Sequence, residues 1–152
     1  MVVVVGLAAS AAHAAPLTPG VWLFQSNYGG KPRAGDSHLM RVYVEYEEGS
    51  QAMILGISGN TGADCSKIPD RRTQVDYTVK KPQVAIRADG GFASEWMKIA
   101  SSPGYTGKVK LKGTIDSERV KGTLRLRMRI KTFGRCTIKE RFRVRIQASS
   151  ES

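Results

Sequence analysis

Between Val109 and Ile146 apolar and charged residues alternate with a period of two. Only extended strands satisfy such a pattern, because successive strand side chains point to opposite faces. Val109, Leu111, Gly113 and Ile115 share one phase, and Val120, Gly122, Leu124 and Leu126 share the next. A four-residue loop over 116–119 then pairs Ile115 with Val120, Gly113 with Gly122, Leu111 with Leu124 and Val109 with Leu126. Every apolar side chain meets an apolar partner in this register, and the two glycines oppose each other where a bulky residue from the other layer can pack on bare backbone. The inward phase continues through Met128 and Ile130, turns over 132–135, and resumes with Ile138, Phe142, Val144 and Ile146. Glu140 falls in the same inward phase, which requires either a bulge or a cation beside it.

The opposite phase of these strands is cationic. Its members are Lys108, Lys110 and Lys112, then Arg125, Arg127, Arg129 and Lys131, then Lys139, Arg141, Arg143 and Arg145. The chain carries 24 Lys and Arg against 13 Asp and Glu, a formal charge of +11, but residues 101–152 hold 14 against 4 and residues 1–100 hold 10 against 9. The excess therefore belongs to one sheet face, on which Lys110 faces Arg125 and Lys108 faces Arg127. Like charges directly opposite one another destabilise a sheet. Two readings follow: a docking surface for a polyanion, or a solvated face whose long stems cover apolar surface and discourage edge pairing. No aromatic interleaves these cations in sequence, which argues against a base-stacking platform.

The remainder of the chain reads as short alternating segments at 21–25, 39–47, 52–58, 74–79 and 83–88, with no helical period sustained over a dozen residues. Strands at 107–115, 120–131 and 137–147 complete the set. Tyr28-Gly29-Gly30, Glu48-Gly49-Ser50, Ser58-Gly59-Asn60-Thr61-Gly62, Asp89-Gly90-Gly91 and Ser102-Pro103-Gly104 supply turns. Residues 59–70 read as a connection, 92–100 as either a strand or a helical turn, and 148–152 as a frayed tail. The expected fold is all-β: an antiparallel β-sandwich or flattened barrel of about eight strands, ending in a three-stranded meander, with one domain over 15–147.

Residues 1–14 are uncharged and pass from a valine run to Ala12, His13 and Ala14, the small-residue frame that signal peptidase reads. The segment is too short to span a bilayer, and it lacks the Lys or Arg that normally opens such a leader, so the expectation is either a true start upstream or a chain that is a fragment. Export suits Cys65 and Cys136, the only two cysteines, which in an oxidising compartment form one bridge. The expected location is secreted or periplasmic, and the expected state a monomer without a transmembrane segment.

Catalytic chemistry finds little support. Beyond the leader the only histidine is His38, there is no G-x-S-x-G, and neither Glu45, Glu47 and Glu48 nor Asp116 and Glu118 sits in a sequence setting that would raise a carboxyl pKa. Asn60, Asp64 and Asp70 match no calcium loop. No catalytic residue, metal site or cofactor is expected. Gly20-Val21-Trp22 resembles the Gly-x-Trp signature that opens the first strand of lipocalins and avidin-like barrels. That resemblance implies a Trp plugging one barrel end with a basic residue from the last strand, Arg143 or Arg145, packed on it, around a small apolar ligand. More broadly, Asp89-Gly90-Gly91-Phe92, the segment Val109 to Ile115, Gly122-Thr123-Leu124-Arg125 and the late Cys136 resemble small exported bacterial all-β proteins of uncharacterised function. This likeness implies a single disulfide-linked β domain. The leading expectation is non-enzymatic binding of an anionic glycan, lipid headgroup or nucleic acid through the cationic face; the alternative is a barrel holding an apolar ligand.

Overall fold

A computed structural model describes residues 15–27, 39–100 and 103–151. The expected leader at 1–14, the expected turn at 28–30 and His38 lie outside the described residues. Among the described residues ten strands follow in chain order: β1 (Gly20–Asn27), β2 (Leu39–Tyr46), β3 (Met53–Cys65), β4 (Ile68–Thr78), β5 (Val84–Ala85), β6 (Gly91–Ala93), β7 (Met97–Lys98), β8 (Tyr105–Ile115), β9 (Arg119–Ile130) and β10 (Gly134–Glu151). Every pairing between them is antiparallel, in the order β4-β3-β2-β1-β10-β9-β8-β6, with β5 beside β3 and β7 beside β8.

This sheet curls into an irregular, flattened barrel. A path of paired residues runs from Cys65 to Cys136 on β10, Met128 on β9, Gly107 on β8, Ile99 just after β7 and Val79 just after β4. The Val79 amide then donates to the Ile57 carbonyl, so the circuit rejoins β3 at a position different from where it began. That stagger is what tilts the strands of a closed sheet. Towards the far end of β10 the hairpin of β1 and β2 separates β10 from β3 and widens the wall. Phe24, Met40, Ile54, Leu111, Leu124 and Leu126 are fully buried in the interior.

The three C-terminal strands adopt the register that their alternation requires. Ile115 faces Val120, Gly113 faces Gly122, Leu111 faces Leu124 and Val109 faces Leu126. What crowds the two glycines is the partner strand itself: a Cβ on Gly122 would lie 2.0 Å from the Lys112 carbonyl oxygen and 2.8 Å from the Gly113 Cα. Glu140 stays in phase opposite Leu124 without a bulge, and Arg72 on β4 supplies the cation, its guanidinium 2.5 Å from a Glu140 carboxylate oxygen and 2.8 Å from the Gly62 carbonyl.

Three local expectations are corrected, and a fourth, left open between strand and helical turn, resolves as strand. Residues 59–70 form no loose connection but the ends of a long ribbon, with β3 running to Cys65 and β4 starting at Ile68. Their turn-like composition serves close packing instead, since a Cβ on Gly59 would meet the Leu39 carbonyl oxygen at 2.4 Å, and Thr61 is buried. The tail is not frayed: β1 pairs with β10 as far as Glu151, opposite Gly20, because backbone hydrogen bonding is indifferent to the polar side chains of Ser149 and Ser150. Lys131 lies in the turn after β9, where its amide donates to the Gly104 carbonyl, rather than on the strand. Residues 92–100 are extended, split between β6 and β7.

Cys65 and Cys136 are directly opposed, buried and joined, closing a separation of 71 positions. The bridge fastens β10 to β3 where only two residue pairs link them. In urea denaturation, reduction or the double change Cys65→Ala, Cys136→Ala is expected to lower the unfolding free energy by about 4 kcal/mol; superimposable curves would contradict this role.

Candidate polyanion-binding face

Because the aliphatic phase of β8, β9 and β10 is turned into the barrel, the intervening cations stand on its outer wall. Lys108, Lys112, Arg125, Arg127, Arg129, Lys139, Arg141, Arg143 and Arg145 are exposed on these strands, Lys110 is half-buried among them, and Lys131 is exposed in the adjoining turn. Registry forces cation against cation. Lys110, Arg125 and Lys139 form one row across three strands; Lys108 faces Arg127, Arg129 faces Arg135, Lys121 faces Arg143 and Arg119 faces Arg145. These six directly opposed pairs cost together about 1–3 kcal/mol at low salt. Among the described residues none of the predicted cations is ion-paired to a carboxylate.

An aromatic belongs to this face after all. Trp96, between β6 and β7, reaches over the Lys108 and Arg127 row, with the Lys108 Nζ 5.3 Å and the Arg127 Cζ 4.8 Å from its ring centroid. Sequence reasoning missed it because Trp96 is remote from the cationic run and becomes a neighbour only through the pairing of Met97 with Val109 and Lys98 with Lys108. The same pairing adds Lys98 to the face, and the β9–β10 register adds Arg135. A surface trough of about 610 Å³ follows this region, bordered by Lys98, Lys108, Arg127, Arg129 and Arg135.

The other candidate constellations have structural explanations. Trp22 is buried, its Nε1 donates to the Thr18 carbonyl at 3.0 Å, and its ring stacks on Phe24 at 6.3 Å. Arg143 and Arg145 do not pack on it: both are exposed in the outward phase of β10 while Trp22 points inward. Glu45 accepts a hydrogen bond from Tyr43 at 2.7 Å, which raises the Tyr43 pKa. Asp116 accepts from the Glu118 and Arg119 amides at the β8–β9 turn, and Asn60 from the Leu39 amide. Asp64 lies beside Arg72 at 4.0 Å, and Asp70 is exposed on β4. No group of three metal-ligating side chains occurs among the described residues. Nor does any helix among them have the length and apolarity to cross a membrane. The disulfide fits a compartment outside the reducing cytoplasm.

Comparison with protein-family models, curated proteins and solved structures finds no match to this chain. Its chemistry is therefore read from its own residues.

A second concavity of about 400 Å³ is bounded by Asp76, Tyr77, Tyr105, Ile130 and Phe133. Burial, and secondarily the Asp76 charge, push the Tyr105 phenol from 10.0 to about 12. The folded protein thus holds this proton where the unfolded chain has released it. The contribution is intact below pH 10 and is lost as pH rises towards about 12. Unfolding free energy should fall across that window, and Tyr105→Phe should reduce the fall; an identical alkaline profile for the variant would contradict the assignment.

Proposed function

We propose that this chain is an exported, non-enzymatic binding domain that docks on anionic polymers or surfaces through the outer face of β8, β9 and β10. The observation that carries the reading is the set of opposed like-charge pairs without carboxylate partners among the described residues. A face that serves only solubility is achieved at lower cost by interspersing the two signs. A face that meets a polyanion gains affinity from every cation it concentrates, because each neutralised anionic group releases condensed counterions. The leader-like segment at 1–14 and the disulfide support export, which makes envelope lipids, acidic glycans and shed nucleic acid the available partners.

Such binding carries a signature in salt. Binding to sulfated dextran or polyphosphate should weaken steeply and log-linearly with salt concentration. Changing Arg125, Arg127 and Arg129 together to Ser should reduce that slope by about 2–3. Binding that is indifferent to salt, or a slope unchanged in the triple variant, would sink the proposal.

A further inference from the structure

The cationic face is not uniform: one concavity lies beside Lys121, Arg141 and Arg143, and another, beside Trp96, has a more definite construction. Ile99, Gly107, Met128 and Cys136 lie side by side across four neighbouring chain segments, and their side-chain phase is inward, so their backbones form a floor. One wall is the row Lys98, Lys108, Arg127 and Thr137, and the other is Thr106, Arg129 and Arg135. The trough therefore runs across the strands and presents a cation at each strand it crosses, at intervals of about 4.8 Å. It ends at β3, where Asp64 pairs with Thr137 and reverses the sign of the charge.

Trp96 contacts Lys108 and Arg127, two of the cations in one wall of this trough. Lys108 and Arg127 face each other in the sheet, and both lie within about 5 Å of the indole centroid, at 5.3 Å and 4.8 Å. The half-buried ring thus holds two mutually repelling cations in fixed positions while they keep N–H groups for an anion. Thr106 and Thr137 add a hydroxyl to either wall, a donor and acceptor that a simple charge-neutralising surface does not require.

We propose that this trough seats a linear acidic glycan, with an anionic sugar ring stacked on Trp96, its carboxylate or sulfate held by Lys108 and Arg127, and following anionic groups met by Lys98, Arg129 and Arg135. The inference rests on the polyanion reading above and names its ligand class. Three observations favour a sugar chain. The interval between cations is close to the advance per ring of an extended polysaccharide. The hydroxyls on the walls suit a polymer that carries hydroxyls on every unit. A single aromatic serves one ring, whereas single-stranded nucleic acid is held by stacking successive bases on several aromatics.

The test compares the full chain with Trp96→Ala on three probes at one salt concentration: a galacturonate polymer, inorganic polyphosphate and oligothymidylate. Trp96→Ala should weaken the galacturonate polymer about fivefold, the scale of one lost aromatic contact, and weaken polyphosphate by much less. Galacturonate oligomers should also change the indole fluorescence of the wild type and not of Trp96→Phe when only Trp22 remains for comparison. Equal weakening of all three probes, or of none, overturns the glycan assignment while leaving polyanion binding in place. Oligothymidylate binding that alone depends on Trp96 overturns it in favour of nucleic acid. Failure of the wild type to bind any of the three overturns both readings.

Discussion

The pairing of Ile115 with Val120, Leu111 with Leu124 and Val109 with Leu126 commits every second side chain of β8 and β9 to the barrel interior. β10 follows with Ile138, Phe142 and Val144. Each buried aliphatic side chain is worth about 1.5–3 kcal/mol, whereas each opposed pair of surface cations costs some tenths. Core burial therefore decides the register, and the cations must accept the neighbours that the register assigns. A slip of one residue would relieve no repulsion, since it would send the charged phase into the core. The cationic face is in this sense a consequence of the hydrophobic one.

What makes that face a platform is closure of the sheet around it. β9 is paired along both edges, β8 is flanked by β6 and β7 on its other side, and β10 is held by β1 at one end and by the disulfide to β3 at the other. A freely flexing hairpin with this charge would splay. Within a closed wall the cations stay at strand spacing, and the chain between β6 and β7 carries Trp96 over two of them.

How far the sequence reveals this depends on whether a signal is local. The alternation of β8, β9 and β10, the facing glycines and the need for a cation near Glu140 are readable because period, sign and spacing lie within a few dozen residues. Arg72 as that cation is not readable, because it lies on β4 and reaches Glu140 only through barrel closure. The place of Trp96 on this face is not readable for the same reason. The segment Gly59-Asn60-Thr61-Gly62 misled differently. Its composition suits a turn, but Gly59 lies within β3, where its bare backbone admits the Leu39 carbonyl of β2 and the Tyr77 side chain of β4. Polar composition also suggested fraying after Gln147, although the residues that follow complete the ladder with β1.

The register holds the row Lys110, Arg125 and Lys139 together against its own repulsion, which counterions in solution can screen. Thermal unfolding of the wild type and of Arg125→Gln, followed from low to high sodium chloride, tests this most directly. The wild-type Tm is expected to rise with salt as the row is screened, and Arg125→Gln to raise the Tm at low salt and remove much of that dependence. A wild-type Tm indifferent to salt, or an Arg125→Gln variant that is less stable at low salt, would contradict it.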